Sequence, residues 1–115
     1  MIDMHYESVT DSSTHAREIE RKALAHSVEL LKKAMSENRK PADVIEAAYF
    51  TRSLWTAFIR DLGSEDNALS KDLRAQLISI GVRMIDCSEK LRNGDISTAE
   101  EMIDVSEIIS GGLVE

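Results

Sequence analysis

This 115-residue chain is short of cysteine, with one, of proline, with one, and of aromatic side chains, which make up 4% of it. A lone Cys87 has no partner for an internal disulfide, so a disulfide-stapled scaffold is excluded, and a single thiol cannot supply paired zinc ligands. No apolar run approaches the roughly 20 residues that a bilayer crossing needs. Met1 is not followed by the basic segment and short apolar stretch of a secretion signal. These absences lead to the expectation of a soluble, cytoplasmic domain without membrane insertion. The length allows one core, and at 43% hydrophobic and 30% charged residues the composition is not that of a disordered tail.

Basic residues run out along the chain. Residues 1–60 hold nine basic and nine acidic side chains, whereas residues 61–115 hold five basic and twelve acidic ones, so the whole net charge of −7 belongs to the second half. After Arg92 there is no Lys or Arg, while Asp95, Glu100, Glu101, Asp104, Glu107 and Glu115 follow. An acidic half repels a phosphate backbone, which leaves only the neutral first half for any nucleic-acid contact.

Helical periodicity accounts for most of what is there. Residues 1–11 show neither a helical period nor a cap, and with Val9 and Thr10 they read as a short N-terminal arm. From about Ser12 to Glu37, Ile19, Ala23, Ser27, Leu30 and Ala34 make one row beside Leu24, Val28, Leu31 and Met35, an amphipathic stripe. Pro41 opens a second helix to Leu62, where proline is tolerated as the first helical residue, and Gly63 is expected to end it in a left-handed cap. Ser70 caps a third helix, about Lys71 to Arg92, closed by Asn93-Gly94. Gly81 in its interior, costing about 1 kcal/mol relative to alanine, points to close approach of a neighbouring helix. Ser97 with Glu100 reads as a capping box for a fourth helix, about Thr98 to Ser110. The expectation is an all-α, compact four-helix domain over residues 12–115 behind an arm of residues 1–11.

No catalytic constellation emerges. His5, His15 and His26 lack metal-ligand spacing, the glycines form no phosphate loop, and Asp61, Glu65, Asp66 and Asp72 lack the order of an EF-hand. Cys87 has Arg83 and Lys90 as helical neighbours able to lower its pKa, yet a lone helical cysteine is more commonly a half-buried filler. The chain is therefore read as a non-enzyme without cofactor or metal. Lys32, Lys33, Arg39 and Lys40 cluster around the first interhelical turn, a candidate RNA patch, but acids interleave with them and no aromatic stands by for base stacking, so a solvated face is the simpler reading. Tyr49, Phe50, Trp55 and Phe58 gather four of the five aromatics on the second helix. Trp55 and Phe58 share a row, and Tyr49 projects elsewhere as the better surface anchor.

In order and spacing, several segments together resemble the FlaF family of flagellar biosynthesis regulators: Tyr6 in the arm, Phe50-Thr51-Arg52-Ser53-Leu54-Trp55 with Asp61-Leu62, the turn Asn67-Ala68-Leu69, Leu73-Arg74-Ala75-Gln76-Leu77-Ile78-Ser79-Ile80-Gly81, and Ile108-Ile109 with Gly112-Leu113. The likeness spans nearly the whole chain. Where the family has proline and glutamate early in its first helix, this chain has Ser13 and His15, which leaves the start of that helix open. The resemblance implies a cytoplasmic protein that binds flagellin as an export chaperone, promotes its synthesis and secretion, and acts alongside an FlbT-type regulator. The alternative is an RNA-binding regulator of flagellin mRNA that uses the Lys32 to Lys40 cluster. Residues picked for partner contact are Tyr6, Tyr49, Arg52 and Trp55, with Asp61 and Asn67 added as polar interaction or network candidates.

Overall fold

A computed structural model describes the backbone of residues 2–112 and the side chains of residues 18–111. The described residues form four helices and no strand: α1 (Ile2–Met35), α2 (Pro41–Leu62), α3 (Lys71–Arg92) and α4 (Thr98–Gly112). Each helix packs on two others, α2 on α3, α1 on α4 and α2, and α3 on α4. The long axis of 57 Å is close to the about 51 Å that a 34-residue helix spans.

Local signals fix most boundaries. At α2, the Asp43 carboxylate accepts the Lys40 backbone N–H at 2.9 Å while the Asp43 N–H donates to the Lys40 carbonyl. That backbone hydrogen bond, helped by the nearby Lys33 ammonium, holds the Asp43 carboxyl below the usual carboxylate range. At α3 the Ser70 hydroxyl accepts from the Leu73 N–H, as expected of an N-cap. Its far end is closed by bonds from Asp95 N–H to the Lys90 carbonyl and from Gly94 N–H to the Leu91 carbonyl. This pattern needs a left-handed residue at Gly94, whose φ is +102°, a value that glycine adopts without steric cost.

Three local expectations are corrected. The backbone is helical from Ile2, so residues 2–11 continue α1 instead of forming an irregular arm. Extending an existing helix costs far less than nucleating one. Gly63 is not left-handed: its φ of −81° and ψ of −9° are right-handed. Its N–H donates to the Ile59 carbonyl and the Ser64 N–H to the Asp61 carbonyl without a left-handed residue, while the Arg74 guanidinium donates to the Leu62 and Ser64 carbonyls at 3.4 and 2.9 Å and ties down the chain just past the helix end. Ser97 does not cap α4. Its hydroxyl donates to the Asp95 carboxylate at 2.6 Å, and the Thr98 hydroxyl donates to the Asp95 carbonyl, so this turn is organised around Asp95.

The core runs through all four helices. Leu24, Leu31, Trp55, Met84, Leu91 and Met102 are its largest buried apolar side chains, with Ala34, Ala47 and Ala99 where helices come close. Gly81 is such a place: a β-carbon there would lie 2.8 Å from Ile59 Cγ1 and 3.0 Å from the Trp55 ring. The close approach expected from the sequence is therefore real. Packing α3 against α2 at this point also sets the register of the groove described next.

Candidate functional site

Residues facing the core on α2 are Val44, Ala47, Ala48, Thr51 and Trp55. Ile45, Tyr49, Arg52, Thr56 and Arg60 recur every three or four residues about a third of a turn away, so they form a separate stripe. Ile45 is 55% exposed and Tyr49 73%, large apolar surfaces that the bundle leaves uncovered. Ser88, Glu89 and Arg92 of α3 rise beside the first part of this stripe, and together with Ile45, Ala48, Tyr49 and Arg52 they enclose a hollow of about 320 Å³. A second, more open hollow of about 400 Å³ continues along α2 past Tyr49 and Arg52 to Ser53, Thr56, Ala57 and Arg60. Tyr49 and Arg52 belong to both, so the two hollows make one groove.

The groove is positively charged in an acidic protein. Its charged lining is Arg52, Arg60, Arg92 and Glu89, against a chain total of −7. Arg52 lies 3.3 Å from Glu89 across the groove. Among the described residues, no carboxylate stands within ion-pair distance of Arg60 or Arg92. An apolar floor with cationic margins can hold an extended or helical segment by burial, and can orient it by charge.

The residues picked from the sequence divide among three places. Tyr49 and Arg52 sit together in the groove. Trp55 is 1% exposed, in edge-to-face contact with Phe58 at 5.3 Å, so it is core and offers a partner no surface. Asp61 and Asn67 organise the turn between α2 and α3: the Asn67 amide donates to the Asp61 carbonyl and carboxylate at 3.3 and 3.2 Å, and its oxygen accepts the Leu69 N–H. Tyr6 lies outside the residues whose side chains are described. Ile45, Ser88, Glu89 and Arg92 escaped sequence reasoning. Ile45 carried a signal, one turn before Tyr49, while the three α3 residues join the groove only through the packing of α3 on α2.

Half of the basic cluster at the first interhelical turn is engaged with acids. Lys32 pairs with Glu107 at 3.6 Å and Lys33 with Asp43 at 3.4 Å, while Arg39 donates to the Ser36 carbonyl. Cys87 is fully buried, and its thiol donates to the Glu101 carboxylate at 3.0 Å. Burial, then Glu101, push the thiol up to about 11 and outweigh the opposing pull of Arg83. The lowering that Arg83 and Lys90 suggested in the sequence is therefore reversed. Glu101 is held low by the Cys87 hydrogen bond and by Arg83, whose guanidinium is 3.0 Å away. A thiol reagent at pH 8 is expected to modify Cys87 only as fast as the protein opens, with rapid labelling in denaturant. Since unfolding would restore an ordinary thiol near 9, stability should also fall as pH rises from about 9 towards 11, where the unfolded chain binds fewer protons. Rapid labelling of the folded protein at pH 8 would contradict this.

Among the described residues, no three His, Cys, Asp or Glu side chains converge on a metal-sized site, and no helix is long and apolar enough to cross a membrane. What the fold and the groove define is a small all-helical protein with an uncovered, cation-lined face. Over residues 2–113 it matches the family model described as flagellar protein FlaF, and the chain belongs to the FlaF family, a family of flagellar proteins. Compared with curated proteins and with solved structures, it matches none significantly.

Proposed function

We propose that this FlaF-family chain binds flagellin in the cytoplasm as an export chaperone, promoting flagellin synthesis and secretion in concert with an FlbT-type regulator, and that it has no catalytic activity. The observation that carries the reading is the α2/α3 groove, where Ile45 and Tyr49 leave apolar surface uncovered between cationic margins. A protein held for export has to be released, and a groove of this size suits a modest, reversible interface better than an obligate one. Unassembled flagellin presents apolar helical segments, which a groove between helices can shield from self-association. The RNA-binding alternative is weakened by the pairing of Lys32 and Lys33 with Glu107 and Asp43. Mixing purified protein with flagellin monomer and separating the mixture by size-exclusion chromatography tests the reading. A co-eluting complex is expected, and its absence both with and without the FlbT-type partner would refute direct chaperoning.

A further inference from the structure

We infer that the α2/α3 groove receives an acidic amphipathic helix from its partner, and that Glu89 holds Arg52 in reserve until a partner carboxylate replaces it. This rests on the reading of the groove as the docking face. The occupant follows from charge and spacing. Arg52 and Arg60 stand on the same side of α2, eight residues apart, which is about 12 Å along the helix. A helix lying along this stripe meets both guanidiniums if it carries carboxylates seven or eight residues apart. Between those two points the lining is Ser53, Thr56 and Ala57, with no charge, so the intervening residues of the occupant facing the groove are uncharged and small or apolar, and Tyr49, one turn before Arg52, extends the apolar surface beyond them.

Glu89 is the only acid in that lining, and its carboxylate lies 3.3 Å from Arg52 with both side chains about half exposed. An exposed pair of this kind is worth about 0–1 kcal/mol, so exchanging Glu89 for a partner carboxylate costs little. The exchange leaves Arg52 paired throughout and turns Glu89 into a like-charge neighbour of the incoming carboxylate. Glu89 thereby sets the affinity below its possible maximum, which suits a partner that must be handed on.

Two helical peptides of about 18 residues serve as probes, one with Glu at positions eight apart flanking leucines, the other with Lys at those positions. The full-length protein is titrated with each, followed by fluorescence anisotropy of a label on the peptide. The Glu peptide should bind, with affinity that falls as salt rises. Tyr49→Ala should weaken it about tenfold, Arg52→Gln should weaken it, and Glu89→Gln should tighten it roughly threefold. All three side chains are exposed, so circular dichroism should show unchanged folding in each variant.

Equal binding of the Lys peptide, weaker binding by Glu89→Gln, insensitivity to Tyr49→Ala, or no binding of either peptide overturns the inference. So does a self-associated protein that Tyr49→Ala makes monomeric, since the occupant would then be a second copy. The two levels fail separately. Flagellin that binds wild type and Tyr49→Ala equally removes the groove and spares the flagellin reading, whereas a Glu peptide that binds where flagellin does not removes flagellin and spares the groove.

Discussion

Replacing Trp55 with alanine is expected to lower folding stability by about 3–5 kcal/mol, the cost of removing a large aromatic side chain from a close-packed core. Trp55 is 1% exposed, and its ring meets Phe58 edge to face and sits under Gly81. Alanine would leave a void at the junction of α2 and α3. The native chain has roughly 5–15 kcal/mol to lose in total, so the variant should unfold at a much lower urea concentration. Trp55 Nε1 is buried without a hydrogen-bond partner among the described residues, so the loss is one of packing. Trp55→Phe keeps most of the packing and removes the unpaired donor, and it should therefore cost well under half as much. Urea titrations followed by circular dichroism measure both. Equal costs for the two substitutions would contradict the packing account.

Gly81→Val is the second large effect, expected to destabilise by about 2–3 kcal/mol through overpacking. The first added carbon falls 2.8 and 2.9 Å from Ile59 Cγ1 and Cδ1 and 3.0 Å from the Trp55 ring. Alanine gains about 1 kcal/mol of helix propensity over glycine, which offsets part of the cost of displacing Ile59 from the added methyl, so Gly81→Ala should cost clearly less than Gly81→Val. Valine adds two γ-carbons that have to turn somewhere in the same crowded space. Truncating the obstacle should relieve the clash. In the double-mutant cycle, Ile59→Ala and Gly81→Val together should cost at least about 1 kcal/mol less than their separate costs added. Strict additivity would show that α3 does not approach α2 at this point.

How much was legible in the sequence can be traced to particular residues. Pro41, Ser70 and Gly94 act within one turn of chain, so α2 and α3 begin and end where the sequence places them. The start of α1 had no such marker, because its first residues carry no cap, and propagation from the stronger helix that follows decides their backbone. Gly63 was misread for a different reason. Right-handed backbone bonds close this end of α2, and a distant side chain, Arg74, ties down the Leu62 and Ser64 carbonyls beside it, which no local pattern announces. Gly81 was readable because a glycine inside a long helix carries a cost that only tertiary contact explains.

The same division holds at the groove. Tyr49 is separable from the core by helical phase alone, and Arg52 by being a polar residue, costly to bury unpaired, inside the segment that resembles the family. Trp55 lay six residues from Tyr49 and shared its chemistry, but phase turns it into the bundle. Glu89 and Arg92 could not be found from their own surroundings in the chain, since it is the seating of α3 against Ile59 and Trp55 that brings them beside Arg52. Asp61, exposed, and Asn67, half-buried, bond to each other and to the Leu69 N–H, which places both in the α2–α3 turn and away from the groove.

The central claim is that a flagellin segment docks between α2 and α3. Amide chemical-shift mapping of the isotope-labelled protein during titration with unlabelled flagellin monomer tests it most directly. The account predicts a complex in which shifts concentrate on Ile45, Tyr49, Arg52, Glu89 and Arg92, with α4 and the Lys32 to Lys40 turn little changed. Shifts centred on α1 or α4 with Tyr49 and Arg52 unmoved, or no shifts at all, would contradict it.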